Sequence, residues 1–348
     1  MPVGFDLKQQ RSLRFGLVGP GFVGRVRAEA IAADPRGEMV AVAGHRVESA
    51  TAFAAQHGIP SVCPDWETLI QRSDIDGVIV CNINCDHDQV VRAALEANKA
   101  VIVEYPLSLS VVAASQLITL ARGREQFLHI EHIELFGGLH QALLANLSAI
   151  GLPHYVRYCT AVPQRPAPQK WTYRRDAFGF PLAGALSRLH RLTNLFGAVD
   201  WVACQIEYVN TLTKDDDCFA NCRCLAQLRF CSGVMAEVVY AKGETTWQPQ
   251  RSMVVEGDRG ALVFEGDQGQ LLSAEGNKPI TVGSRRGLFA KDTAAVLDAL
   301  CDGKPLYVTP EESLYALQVA AAAEVSARTG QTVPVTAPYP GATTRPAA

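Results

Sequence analysis

Three glycines at G-x-G-x-x-G spacing, Gly19, Gly21 and Gly24, end one short apolar run and open another. That pattern suits phosphate chemistry. Gly19 permits a tight turn, Gly21 lets the backbone approach a pyrophosphate, and Gly24 lets helix and strand pack closely. Amides at the start of the helix, at Phe22 and Val23, then meet the phosphate charge. By itself the motif is common; a strand before it and a helix after it supply its mechanism. Roughly twenty residues on, where an NAD site places a carboxylate for the ribose hydroxyls, stand Gly44-His45-Arg46. No carboxylate there repels a 2′-phosphate, and a guanidinium can pair with one. The expected cofactor is therefore NADPH, with His45 and Arg46 at its phosphorylated end. The competing reading makes Arg46 a solvated surface charge. Further candidates are Tyr105, which follows an apolar strand, His132 between Glu131 and Glu134, and the arginines 174, 175, 188 and 191.

The elements that must hold these residues alternate through the first third of the chain. Strands are expected over 14–18, 39–43, 76–81, 100–104 and 127–131. Helices are expected over 23–33, 49–57 (with Ser49 as N-cap), 88–98 and 110–123. Strands that are apolar throughout and separated by helices imply a parallel sheet covered on both faces. After Gly137 the pattern changes. A helix over 139–150 precedes a strand over 155–161, a proline-rich loop and a helix over 184–196. Strands then follow one another over 201–209, 222–230, 234–240, 251–256 and 261–264, with glycine turns at 257–260 and 266–269 suited to hairpins. Helices over 292–300 and 310–329 close the chain. The fold class is an α/β Rossmann N-terminal domain, residues 1–133, plus an α+β C-terminal domain with a large antiparallel sheet, residues 134–335. The helix over 310–329 is a candidate to pack back on the first domain, and residues 336–348 are expected to be disordered.

Composition narrows the function classes. The chain has 348 residues, 48% hydrophobic and 19% charged, with a formal net charge of −3, which gives no reason to expect nucleic acid or membrane as a partner. No apolar run approaches the roughly 20 residues of a membrane helix. The first dozen residues lack the apolar core of a signal peptide, so a cytoplasmic location is expected. Of ten cysteines, residues 81, 85, 159, 204, 231 and 301 lie in apolar runs where thiols behave as small core groups. Cys218, Cys222 and Cys224 lack a second ligand pair at zinc spacing. No metal is expected.

Residues 84–107 (NCDHDQVVRAALEANKAVIVEYPL) resemble the Gfo/Idh/MocA oxidoreductases, whose pattern runs N-x-x-H…A-L-x-A-G-K-x-V-x-x-E-K-P; Asn84, His87, Lys99, Glu104 and Pro106 match it. The resemblance adds Asn84, His87 and Glu104 to the cofactor set. It also exposes departures. Tyr105 stands at the family's catalytic lysine, and Arg188 and Leu192 stand at its Asp and His. The alcohol-oxidising apparatus is missing. These departures resemble the biliverdin reductase group of the family, cyanobacterial type. That likeness is carried by Glu104-Tyr105-Pro106-Leu107, Glu131-His132-Ile133-Glu134, Phe178-Gly179-Phe180-Pro181 and Ser187-Arg188-Leu189.

The resemblance implies an NADPH-dependent reductase that delivers hydride to the central methine carbon of biliverdin. A planar tetrapyrrole with two propionates asks for an apolar, open cleft with cationic groups at its rim. Arg174, Arg175, Arg188 and Arg191 are the expected cations, and Phe178 and Phe180 the expected walls. Arg188 hardly deprotonates, so its expected role is to stabilise developing charge or orient a water. Tyr105 is a positioning residue for the same ligand. His132 has the better pKa for an acid, and Glu104 joins the catalytic candidates as well as the cofactor set. Two alternatives remain: a related NADP-dependent reductase of another small molecule, and a non-catalytic NADPH-binding regulator. A homodimer through the second sheet is a possibility that nothing in the sequence requires.

Overall fold

The computed structural model describes residues 11–210 and 217–335, so the expected disorder of 336–348 and the extreme N-terminus lie outside the described residues. By contacts the chain divides into two units. One holds the chain through Ile133 together with Gly287–Leu314; the other holds Glu134–Arg286 and the chain from Tyr315.

The first unit is a doubly wound sheet. Its strands are β1 (Leu13–Val18), β2 (Gly37–Ala43), β3 (Ser61–Cys63), β4 (Gly77–Val80), β5 (Ala100–Val103) and β6 (Leu128–Ile130). They lie in the order β3-β2-β1-β4-β5-β6, every pair parallel. The helices are α1 (Phe22–Ala32), α2 (Val47–His57), α3 (Trp66–Ile70), α4 (His87–Glu96) and α5 (Val111–Gly123). Apolar strand faces make the core: Phe15, Leu17, Val42, Ile79 and Ile102 are buried with Ile31 and Phe53 from the helices. The chain order reverses between β1 and β4, the crevice where such sheets take ligands.

Two local expectations change here. Ser49 is not the N-cap of α2; the helix begins at Val47, with Arg46 extended in the cap position. The stretch 61–70, unassigned from sequence, forms β3 and α3, the latter capped by Asp65, whose side chain accepts from the Thr68 amide at 2.7 Å. A three-residue edge strand is too short to show periodicity.

The second unit carries α6 (Gly138–Asn146), β7 (Pro153–Pro163), α7 (Arg175–Phe178), α8 (Pro181–Gly184) and α9 (Ser187–Phe196). Then come β8 (Val199–Asn210), β9 (Phe219–Phe230), β10 (Met235–Gly243), β11 (Gln250–Gly257), β12 (Gly260–Glu265), β13 (Gln268–Ser273) and β14 (Lys278–Thr281). The sheet runs β14-β13-β12-β11-β7-β10-β9-β8 and ends in β15 (Val333–Pro334). It is not purely antiparallel, because β7 and β10 pair in parallel. Two hairpins pin its far edge, with Gly257 opposite Gly260 and Glu265 opposite Gln268. Strands β13–β15 escaped the sequence reading because their Gln, Gly, Lys and Pro residues are poor strand formers. The expected helix over 184–196 is split: α8 ends at Gly184, Ala185 leaves helical geometry at φ −113°, ψ 41°, and α9 starts at Ser187.

The last helices are α10 (Leu288–Asp302) and α11 (Pro310–Thr329). Assigned from sequence to the second domain, residues 287–314 instead group with the first unit. The cause is electrostatic as well as apolar: Arg27 on α1 pairs with Asp292 on α10, and Val296 and Leu297 join the first core. From Tyr315 onward α11 belongs to the second unit, where the Tyr315 hydroxyl accepts from the Val199 amide at 2.8 Å.

Candidate functional site

Residues of the glycine loop have the geometry that a dinucleotide demands. Gly19 sits at φ +100°, and a Cβ there would press within 2.6 Å of Asn82 and Cys81. A Cβ on Gly24 would lie 2.3 Å from the Gly19 carbonyl oxygen, so helix and loop touch only because residue 24 is glycine. At Gly21 a Cβ would meet nothing within 4 Å, so packing does not require this glycine and the space beside its backbone is open. Gly21 is also the N-cap of α1, so no side chain there competes for the first-turn amides of Phe22 and Val23. Phe22 is exposed.

At the end of β2, His45 and Arg46 are both exposed. Among the described residues no carboxylate pairs with Arg46. Asn84 and His87 are buried beneath the β4 end. His87 spans two backbone carbonyls, with Nδ1 2.7 Å from Pro106 O and Nε2 3.2 Å from Asn82 O. Burial lowers its pKa against the pull of both carbonyls, and the neutral ring, with one N–H, donates to one of them at a time.

Behind the β5 end lies a charge network that the sequence reading missed. Arg27, 1% exposed, pairs with Asp292 and, at 2.8 Å, with Glu104. Asp292 also accepts from His129 Nε2 at 2.8 Å and from the Tyr307 hydroxyl at 2.5 Å. Burial alone would push the Asp292 carboxyl up, but Arg27 and His129 hold it well below the usual range. Glu131 shows the reverse. Burial, then the charge of Glu104, raise its carboxyl well above its ordinary value. Glu104 is therefore engaged by an internal cation rather than presented as an isolated acid. Tyr105, half-buried, stacks on His132 with centroids 5.4 Å apart and 7° between planes. His132 is buried and its Nε2 is 2.9 Å from Ser313 Oγ.

In the second unit the four predicted arginines separate into different roles. Arg191 is 2% exposed; it donates to Glu134 Oε2 at 2.8 Å and to the Tyr158 hydroxyl. Expected among the substrate cations, it is buried and tied within the fold to Glu134 and Tyr158. Glu134 is shared with Arg285, and the two arginines hold its pKa down against its burial. Arg174 makes a bidentate pair with Asp176 at 3.0 and 2.8 Å. Arg175 lies over the Tyr208 ring at 4.4 Å. Arg188, second residue of α9, places its guanidinium 5.2 Å from the Tyr240 centroid and donates to Ser187 Oγ at 3.3 Å. Phe178 and Phe180 are both buried and back this region rather than line an open surface.

Lys242 on β10 was not among the sequence candidates. It is 6% exposed. Its ammonium lies 3.9 Å from the Phe178 centroid, 4.7 Å from Tyr173, 5.1 Å from Phe219 and 5.9 Å from Tyr240, and it donates to the Thr172 carbonyl. The strand alternation of Ala236, Val238 and Tyr240 carries a signal for its burial, since Lys242 continues that inward row. A lone lysine in a strand does not advertise itself, and three of its four aromatic partners come from two distant segments.

None of the ten cysteines forms a disulfide. Cys231, expected in an apolar core, is exposed, whereas Cys204, Cys222 and Cys224 are buried. Among the described residues no group of three or more His, Cys, Asp or Glu side chains could hold a metal ion, and no helix is long and apolar enough to cross a membrane.

A parallel doubly wound unit opened by a phosphate-type glycine loop, followed by a mostly antiparallel sheet, defines a two-unit protein of the dinucleotide-binding class. The chain matches the family described as an oxidoreductase family with an NAD-binding Rossmann fold over residues 13–132, and its C-terminal alpha/beta domain over residues 146–335. It belongs to the Gfo/Idh/MocA oxidoreductases. It is similar to biliverdin reductase A of Mus musculus, 31% identical over 141 residues, and of Homo sapiens, 30% identical over 141 residues. Each match covers 40% of this chain and 45% of the relative, so the chain spans less than half the length of these curated proteins. A solved structure, biliverdin reductase from Synechocystis in complex with biliverdin and NADP+, is 44% identical. That match covers 90% of this chain and 98% of the other, with a TM-score of 0.87. Levoglucosan dehydrogenase in complex with NADH, 18% identical with a TM-score of 0.81, shares the fold.

Proposed function

We propose that the chain reduces biliverdin to bilirubin with NADPH. The observation that carries this reading is the 44% identity, over nine-tenths of the chain, with a reductase solved together with biliverdin and NADP+. The residues agree with it. Gly19, Gly21, Phe22, Val23 and Gly24 would hold the pyrophosphate, and His45 and Arg46 the 2′-phosphate. When bound, the reduced nicotinamide supplies a hydride, here to the central methine carbon of the tetrapyrrole. Arg188 is the group we assign to the reacting pigment. Charged at any working pH, it cannot serve as a base for alcohol oxidation, but it can stabilise negative charge or orient a water that delivers the proton. Tyr105, fixed by its stack on His132, is assigned a positioning role, as is Glu104 through Arg27. Arg175 is a candidate for a propionate. The reading places the enzyme in a reducing cytoplasm, in keeping with ten cysteines and no disulfide.

The test is direct. Protein mixed with NADPH and biliverdin should turn the green pigment yellow as NADPH absorbance falls. No colour change from protein that demonstrably binds NADPH would defeat the proposal.

A further inference from the structure

Lys242 poses an electrostatic problem that its own fold leaves unsolved. A buried ammonium is expensive unless an anion accompanies it. Here its partners are four aromatic rings and the Thr172 carbonyl; among the described residues no carboxylate reaches it. The other charged groups that act on it are Lys170, ahead of the Trp171–Tyr173 turn, and Arg188 on α9, both cations. Cys222, opposite it on β9, is held neutral because burial pushes its thiol up to about 12. Arg175 faces that thiol in turn. The phenol of Tyr173 is raised by burial, and Tyr240 presents its ring to Lys242 and to Arg188 alike.

Methionine would fill such an aromatic cage without a desolvation penalty. A lysine there fits a place where negative charge arrives from outside. We propose that Lys242 is a substrate-binding residue whose ammonium is completed by a carboxylate of the bound tetrapyrrole. This rests on the biliverdin reading above and adds to it a cation outside the arginine set. The rings partly sustain the charge, and Arg188 and Lys170 make the surrounding potential positive, which attracts an anion and disfavours the uncompensated ammonium.

The consequence is a coupling between substrate and proton. Burial, with Lys170 and Arg188, pushes the Lys242 amine down to about 7. A carboxylate beside it raises that value, so binding takes up a proton wherever the unliganded amine is neutral. Affinity is then greatest below about pH 7 and falls as pH rises, by up to roughly tenfold per pH unit, until the liganded pKa is reached.

The experiment measures KM for biliverdin and kcat in the wild type, Lys242→Met and Lys242→Arg between about pH 6 and 9. The expected wild-type KM climbs at least severalfold across that range with kcat little changed. Lys242→Met should show a raised KM without the climb. Lys242→Arg, charged throughout, should hold a low KM without the climb and keeps the test open should the methionine variant not fold. A wild type that reduces biliverdin with a KM profile shared by both variants overturns this assignment alone. A wild type inert toward biliverdin at every pH overturns it together with the function reading.

Discussion

Arg27 in the first unit and Lys242 in the second are both more than nine-tenths buried, and their surroundings differ in one respect. Arg27 is enclosed by anions, Asp292 and Glu104, and Asp292 is itself braced by His129 and Tyr307. Lys242 is enclosed by rings and one carbonyl. The fold compensates the first cation at the time of folding and leaves the second dependent on what binds. Paired buried charges are therefore read as framework, and the uncompensated one as part of a ligand site. Arg191, paired with Glu134 and bonded to Tyr158, falls with Arg27 although it lies in the second unit. The distinction follows compensation rather than location.

The harshest way to break the comparison is to remove an anion from the framework. Asp292→Ala leaves the Arg27 guanidinium buried with Glu104 alone, and breaking a buried pair costs about 3–5 kcal/mol. A urea melt should show that loss; a stability change near zero would mean the network is not structural. The pH dependence has a definite sign. The folded carboxyl of Asp292 titrates below its ordinary value, so its contribution is present above the unfolded pKa of about 4 and disappears only as pH falls through the lower folded value. Wild type and variant should accordingly converge in stability only in strong acid.

Arg188→Ala tests the ligand side. Loss of a charge-stabilising donor should lower kcat about 100-fold or more, with NADPH affinity unchanged in a fluorescence titration. Normal turnover would remove Arg188 from the mechanism and leave it with Arg191 as scaffold.

How much of this contrast was legible in the sequence depends on where each residue's partners lie. The glycine loop is local: turn, strand and helix fall within a dozen residues, and Gly19, Gly21 and Gly24 occupy the positions the motif implies. The buried network is not local, because Arg27 meets a partner 265 residues away. Nothing in α1 or α10 alone marks the pair, and the same pairing accounts for residues 287–314 grouping by contact with the first unit although their sequence reads with the second domain. The four arginines were equally visible as cations, but exposure and counterions decide what a cation does, and both arise from tertiary packing. Lys242 was invisible for the same reason: Tyr173, Phe178 and Phe219 are separated from it in sequence and converge only on the folded sheet.

Arg46 lies outside both categories, exposed at the N-cap of α2. If it meets the 2′-phosphate, Arg46→Glu replaces a charge-assisted bond with repulsion. NADPH affinity should drop roughly 10- to 100-fold while NADH affinity changes little. Equal losses for the two nucleotides would show that Arg46 does not contact the phosphate and would reopen the cofactor preference.

The smallest expected effect bears most closely on the rule itself. Arg174 carries the same charge as Lys242 and lies in the segment that supplies Tyr173 and Phe178 to the cage. It is one-third exposed and already bound bidentately by Asp176 at 3.0 and 2.8 Å. An exposed pair of this kind contributes about 0.5 kcal/mol, and its cation presents little net charge to a ligand. Arg174→Ala should therefore leave stability nearly unaltered and shift KM for biliverdin by less than about twofold, well short of the change at Lys242→Met. A large KM increase at Arg174 would mean that the substrate carboxylate displaces Asp176. Counterions in the unliganded fold would then no longer identify which cations are framework.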